Sequence, residues 1–432
     1  MASTKLTSIT ALIATVLPRE LIETQARELG VVTRQRKVQV YALVVALTLA
    51  YQSGTKRTIA SLRQAYERLT GTVLTRNAFY KRFTQELARL LQRLVLRVLE
   101  TQENRSRGIT GCVLDRFRDL VLVDSTVLRL KDRLSSAFKA CRTNHTQAAA
   151  KLHMVYCVGQ ARISQVKLTA QRVNDQTPWR RIGDWVRGSL VAFDLGYYSY
   201  QLFDRIEQHG GWFVTRLKRN ANARVVGVNR ACRGASRPVL GQRLQDVLPG
   251  LQRGILDVMV EVSFLRRTYR GKRRRDARTF RMVAVRNPET RTYHTYLTNV
   301  PADVLTAEEV AQTYGLRWQV ELLFKALKHH GHLDHLPSEK RAVVECLIWA
   351  SVLAQLVSQA LYRQVRAKVP DNRHLPLLRW AAVLSQVSLD LLRLALVPRR
   401  KEDRLLFEWL LREAVDPNIH RRDRAGAGLL AF

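Results

Sequence analysis

The 432-residue sequence is short of acid: 36 Asp and Glu stand against 72 Lys and Arg, a formal net charge of +36. That imbalance favours a polyanion as partner, because each phosphate neutralised by Lys or Arg releases condensed counterions. A membrane surface is the weaker alternative, since the bases run through the whole chain rather than one amphipathic segment. Cysteine is sparse as well. Cys112, Cys141, Cys157, Cys232 and Cys346 form no CxxC pair, and an odd, scattered set excludes a disulfide framework and points to a reducing, cytoplasmic compartment. Long apolar runs are missing too. "VQVYALVVALTLAY" (38–51) spans about fourteen residues, below the roughly 20 that cross a bilayer. "LIWASVLAQLVSQALY" (347–362) is also short and carries Gln355, Ser358 and Gln359. Both predict buried helices. The N-terminal run lacks a small-residue cleavage pattern and reads as a helix rather than a signal peptide. No internal repeat is visible.

What the chain does have is a change of period. Apolar residues recur at helical spacing from Leu21 to Leu47 and from Leu87 to Leu99, so residues 1–115 read as helical. Within them "TIASLRQAYERLTGTVLTRNAFYKRF" (58–83) reads as a helix, a turn at Gly71 and a second helix from Thr75. That is a helix-turn-helix, with Arg76, Asn77 and Lys81 offered to DNA, or a plain helical hairpin. At 118 the pattern becomes strand-like. "LVLV" (120–123) ends in Asp124, "KLHMVYCV" and "ARISQVKLT" form a hairpin about Gly159, a helix is expected over 176–187, and "SLVAFD" ends in Asp194. Residues 201–300 alternate short β runs with basic loops, the densest being "RRTYRGKRRR" (266–275). From 305 the chain is helical, with breaks at Pro337, Pro370, Pro376 and Pro398.

The stretch "YGLRWQVELLFKALK" (314–328) raises the functional question. On one continuous helix Tyr314, Arg317, Glu321 and Lys328 fall within about 60° of arc, with Lys325 and Trp318 beside them. Leu316, Val320, Leu323 and Leu327 collect opposite. The column is either a solvated face with an ordinary Arg317–Glu321 pair or the wall of a site. Asp124 and Asp194, each read at the C-terminal end of an apolar strand, either cap turns or join Glu321. Three converging carboxylates need a cation or raised pKa values, and oxygen ligands suit Mg²⁺ or Mn²⁺.

With these residues in view the chain resembles the DDE transposases of bacterial insertion sequences, in the branch marked by Y-x2-R-x3-E-x6-K. Tyr314, Arg317, Glu321 and Lys328 match that signature without a gap. "LVLVDST" and "VAFDLGYYS" are similar to the two aspartate strands, and "WFVTRLK" and "YLTNV" to stretches of the insertion. The resemblance covers roughly residues 118–365. It implies an α/β ribonuclease H-like catalytic core (116–200 and 301–345) with a mostly β insertion (201–300), flanked by helical N-terminal (1–115) and C-terminal (346–432) regions. It implies that Asp124, Asp194 and Glu321 are catalytic and hold two Mg²⁺ or Mn²⁺ ions. Arg317 and Lys328 would contact phosphates flanking the cut, and Tyr314 a phosphate near the transposon end. In relatives that cut by a DNA hairpin an aromatic residue stacks on a flipped base, and Trp318, or Tyr293, His294 or Tyr296, lies where such a residue would be, though none of the last three matches clearly.

The implied activity is cut-and-paste transposition. Water activated by divalent cations nicks the element's end, and the freed 3′-hydroxyl attacks phosphodiesters in line. The implied partners are double-stranded DNA, as terminal inverted repeats and target, and a second copy of the chain. No membrane and no nucleotide cofactor is expected, and the nucleoid is the expected location. A DNA-binding repressor without catalysis and a structure-specific nuclease of the same fold are the alternatives. Two further features are ambiguous. "HHGHLDH" (329–335) could bind zinc but lacks an HExxH frame or neighbouring cysteines. Lys151 could reach DNA or be an ordinary edge-strand lysine.

Overall fold

The computed structural model describes residues 8–34, 38–50, 58–102, 113–141, 146–180, 182–218, 220–221, 223–230, 239–266, 274–334, 336–370 and 373–416. Helical periodicity in the first hundred residues yields α1 (Ile9–Val16), α2 (Arg19–Glu28), α3 (Val40–Leu49), α4 (Ile59–Thr70), α5 (Arg76–Tyr80) and α6 (Gln85–Gln102). Thr58 and Ser61 close a capping box on α4, and Gly71 ends it at φ 68°, a left-handed geometry that suits glycine. Thr75 then caps α5 through its hydroxyl. The turn therefore lies where the sequence puts it, but α5 has five residues, roughly 7 Å of helix. That is too short to lie along a major groove as a recognition helix does.

The strand region gives β1 (Leu120–Arg129), β2 (Ala149–Cys157), β3 (Arg162–Ala170) and β4 (Leu190–Phe193), then α7 (Tyr200–Gln208) and β5 (Trp212–Arg216). There follow β6 (Arg224–Val228), α8 (Leu244–Val247), β7 (Ile255–Leu265), β8 (Arg275–Arg286) and β9 (Tyr293–Thr298). All nine belong to one sheet in the order β3-β2-β1-β4-β5-β9-β8-β7-β6. β1, β4 and β5 run parallel, and antiparallel pairs flank them on both sides. Two expectations change here. No helix spans 176–187: Pro178 and the extended Gly183 split that stretch into two short 3₁₀ turns, 177–179 and 184–186. The boundary at 200 is displaced as well, because α7 and β5 form a β-α-β crossover with β4 and belong to the core. The inserted strands β6–β9 extend the same sheet from the far edge of β5.

A buried ion pair pins that extension. Arg281 on β8 grips Asp257 on β7 through Nε (2.9 Å) and Nη2 (2.6 Å), while Nη1 donates to the carbonyls of Val300, Pro301 and Leu305. The chain leaving β9 is thereby fixed before it enters α9 (Ala307–Gly315), whose N-terminus carries a Thr306–Glu309 capping box. Next come α10 (Trp318–His329), α11 (Arg341–Arg366), α12 (Leu377–Gln386), α13 (Ser388–Leu396) and α14 (Arg400–Ala414).

The two terminal regions are one helical layer rather than two. α11 packs against α6, α3 and α1, and α13 against α3 and α1. Asp403 on α14, buried, accepts from the Ile9 and Thr10 amides (both 2.9 Å) and the Thr10 hydroxyl (2.6 Å), capping α1 from the other end of the chain. Among the described residues one helix, α11, is long and apolar enough to cross a membrane, yet 89% of its apolar window is buried inside the protein. It is the central strut of the layer, where each fully buried Leu or Ile contributes roughly 1.5–3 kcal/mol.

Candidate active site

Alternation along the strands sets which side chains meet. Leu122, Ala192 and Val214 on β1, β4 and β5 face the core shared with the helical layer, whereas Val123, Phe193 and Phe213 face a second core on the opposite side. Asp124 and Asp194 follow Val123 and Phe193, which are register partners, so both emerge on the first face. That face is covered by α9 and α10, through Val310, Tyr314, Val320, Leu323 and Leu327. Asp124 does not end its strand: β1 continues to Arg129, and Asp124 pairs with Met154 of β2. Asp194 does sit just past β4, at the start of a 3₁₀ turn, but its carboxylate makes no capping hydrogen bond. Turn capping therefore does not account for it.

The signature stretch is two helices rather than one. Leu316 and Arg317 form a tight turn of i→i−3 bonds between α9 and α10. The turn keeps the polar column together. The Arg317 guanidinium lies 2.6 Å from Glu321 Oε1 and 3.5 Å from Asp124 Oδ2. It also lies 5.8 Å from the Tyr314 ring. Its Nε is buried without a hydrogen-bond partner. Burial pushes the Asp124 carboxyl up to about 6; the Ser125 amide and Arg317 oppose the rise, and Asp194 and Glu321 add to it. Hydrogen-bonding reach links Arg317 to Asp124 and Glu321, and electrostatics link Asp194 to them.

The remaining residues separate clearly. Trp318, first in α10, is 59% exposed and Lys325 is exposed. Lys328 is half-buried, its pKa lowered by burial, with Asp334 opposing that shift and Arg129 reinforcing it. Tyr314 is buried, its ring 5.3 Å from that of Tyr296, so neither phenol ring has an open face. Tyr293 donates its hydroxyl to the carbonyls of Leu251 and Arg253. Arg76, Asn77 and Lys81 are exposed on the α5 side of the helical layer. Among the described residues no group of three His, Cys, Asp or Glu is gathered tightly enough to hold a metal as it stands. His335 and residues 267–273 of the basic loop lie outside the described residues.

Lys151 is corrected. Its ammonium is bound to Asp175 Oδ1 (2.9 Å) and the Val173 carbonyl (3.0 Å), with the side chain 11% exposed, so it is committed inside the protein. Asp175 is a fourth carboxylate that the sequence reading missed. It also accepts from the Ser125 hydroxyl (3.1 Å), beside Asp124. A Cβ on Gly196 would come within 3.2 Å of Asp175, so the turn after Asp194 approaches it closely. His153, beneath, has its pKa pulled down to about 4 by burial and is neutral; Asp175, 4.0 Å away, is too distant to hold a proton on it. His153 bonds instead to Tyr197 and Thr169. This network ties β1, β2, β3 and the Asp194 turn together under the carboxylates.

The donor set suits a hard divalent cation. Asp124 and Asp194 on the sheet and Glu321 on α10 are electrostatically coupled in a half-buried setting that resists the ionisation of Asp124, and a guanidinium lies between Asp124 and Glu321. The comparisons point the same way. Residues 115–357 match the family described as "Transposase DDE domain". The transposase of insertion sequence element IS231F from Bacillus thuringiensis subsp. israelensis is 23% identical over 396 residues, covering 84% of this chain and 82% of that protein. The putative transposase InsL of IS186A from Escherichia coli K12 is 25% identical over 370 residues, covering 80% and 91%. The fold resembles that of the piggyBac transposase in its synaptic complex with hairpin DNA, with a TM-score of 0.52 at 11% identity, over 94% of this chain and 86% of that one. A family whose members use divalent metal thus accounts for the carboxylates, the ribonuclease H-like sheet and the basic charge at once. With more than half of its length matched, the chain belongs to the DDE-domain transposases.

Proposed function

We propose that the protein binds the terminal inverted repeats of an insertion sequence and moves the element by cut-and-paste. The observation that carries this is the meeting of Asp124, Asp194, Glu321 and Arg317 on one face of the sheet. Asp124, Asp194 and Glu321 would hold Mg²⁺ or Mn²⁺, two ions in the usual form of this chemistry. Bound there, divalent cations lower the pKa of the attacking water and stabilise the leaving oxygen. The chain's own residues do the rest. Arg317 bridges Asp124 and Glu321 in the resting state, offsetting part of their charge, and offers a planar fork to a phosphate that enters. Lys328, half-buried and weakly solvated, adds a second positive charge along α10. Trp318 presents an open indole beside the carboxylates on which an unstacked base can rest.

In the first step a water oxygen bonds to phosphorus and the bond to the 3′ oxygen breaks, leaving a 3′-hydroxyl on the element. That hydroxyl then attacks a phosphodiester, so one P–O bond forms as another breaks and no covalent protein–DNA link is needed. Two copies of the chain would synapse two ends, with residues 366–432, beyond the buried α11, supplying dimer or DNA surface. The test is incubation with terminal-repeat duplex, Mg²⁺ and a target plasmid. Joined product is expected. Cleavage without joining would make the protein a nuclease, and binding with neither would make it a repressor.

A further inference from the structure

The register that aligns the two aspartates extends one strand further. Val123 pairs with Phe193, and Phe193 with Thr215, across the parallel strands β1, β4 and β5. The next residues are Asp124, Asp194 and Arg216. Each continues from that paired row, where neighbouring strands lie about 4.8 Å apart, and by alternation the three fall on the same face of the sheet. Crevices at the carboxyl ends of parallel strands are where such sheets bind ligands.

Arg216 is exposed, and no carboxylate among the described residues pairs with it. Other bases of the sheet and of α10 differ. Arg317 is held by Asp124 and Glu321, Lys151 by Asp175, Arg266 and Arg278 by Asp204, and Arg281 by Asp257. The Arg216 guanidinium instead donates to His294 Nδ1 at 2.7 Å. That bond assigns the imidazole proton to Nε2, which leaves His294 a donor on its outer side. The pair therefore offers several N–H groups for which no acceptor is found among the described residues. Tyr296, the β9 partner of Arg216, packs on Tyr314, and the Tyr314 phenol lies within electrostatic reach of both Asp194 and Arg216. The arginine is thus set against the same wall as the carboxylates.

We propose that Arg216, oriented by His294, forms a phosphate-binding subsite on the β5 side of Asp124 and Asp194. It takes a DNA phosphodiester neighbouring the one that is cut, opposite the contacts supplied by α10. This inference rests on the function proposed above. Two walls, Arg317 and Lys328 on α10 and Arg216 on β5, would then hold the strand across the carboxylates.

The test uses the full chain, Mg²⁺ and duplexes carrying the inverted repeats that flank this reading frame, each with one methylphosphonate near the cut. Arg216→Ala is expected to cleave roughly ten- to a hundredfold more slowly, as for a lost charge-assisted phosphate contact. Arg216→Lys should recover part of the rate. The salt slope of end binding should fall by about one. One methylphosphonate that slows the parent should no longer slow Arg216→Ala, and His294→Gln should show a smaller loss of the same kind. An Arg216→Ala protein that melts like the parent and keeps its rate and salt slope would overturn the subsite, as would methylphosphonate penalties that all persist in full. Should Arg216→Ala fold poorly, the same comparison with Arg216→Lys and His294→Gln decides. If the parent itself does not cleave, the proposed function falls and the subsite with it. If the parent cleaves, Glu321→Gln does not, and Arg216→Ala matches the parent, the subsite alone falls.

Discussion

Arg281 and Arg317 are both withdrawn from solvent and both hold carboxylates, yet they are satisfied very differently. Arg281, 2% exposed, meets Asp257 with two short bonds and spends Nη1 on three carbonyls. Arg317 makes one short bond to Glu321 and a long one to Asp124, and its buried Nε has no partner. The first is a finished joint between strands and the loop that feeds α9. The second is unfinished, in a cluster whose carboxylates outnumber the cation among them. A buried polar group left short of partners is costly in free energy, and such a group survives where a ligand completes it.

The sharpest way to test the contrast is to neutralise one acid in each place. Glu321→Gln should slow end cleavage by roughly a thousandfold or more, the scale of several kcal/mol of lost charge stabilisation, while duplex binding in a gel shift persists. Active Glu321→Gln protein would remove it from the site. At the joint, Arg281→Met strands Asp257 without its partner and should cost about 3–5 kcal/mol of stability in urea unfolding. Below its midpoint that variant should still cut. Arg317→Ala inverts the pattern: cleavage falls about ten- to a hundredfold, and the stability loss is smaller than that of Arg281→Met, because Arg317 makes one short bond where Arg281 makes five contacts. A large stability loss in Arg317→Ala would put the two arginines in one class.

The fourth test is pH. The Asp124 carboxyl, ordinarily near 3.8, is pushed up to about 6 in the folded protein. Between those values the folded state holds more protons than the unfolded one, so without divalent cations stability should fall as pH rises from about 4 to 6, by about 2 kcal/mol. Asp119, also pushed up to about 6 by burial, contributes a parallel slope. Thermal melts of Asp124→Asn across that range should keep the Asp119 share and lose the other. An unchanged slope would show that Asp124 ionises freely. The smallest effect is expected at Trp318. Trp318→Ala should leave the melt unmoved and weaken strand joining by about 1 kcal/mol, the low end of base–aromatic stacking.

Much of the site was legible because strand and helix patterns are local. Leu120–Val123 and Leu190–Phe193 are apolar runs that stop at an acid, and the leucines of 316–327 mark a buried stripe. The errors came where distance along the chain decides. Arg216 falls on the face of the aspartates only through strand pairing, which no local period encodes. Lys151 looked free because Asp175, twenty-four residues on, gave no sign of turning back to it. The expected helix over 176–187 overlooked Pro178 and Gly183, which do act locally. The separate N- and C-terminal regions were an artefact of reading in order: α6 and α11 form one layer.

The Asp403 cap on α1 sets an order of assembly. Its contacts span 394 residues of sequence, so the first helix must wait for almost the last before its leading amides find their acceptor. Contacts that close so large a loop form late. During synthesis, strands β1 to β5 can pair while the helical layer above them is still open, and the surface of α11 must stay shielded in the meantime. A chain cut short before residue 403 would thus keep every carboxylate of the site and lack the latch that joins the two ends of the helical layer.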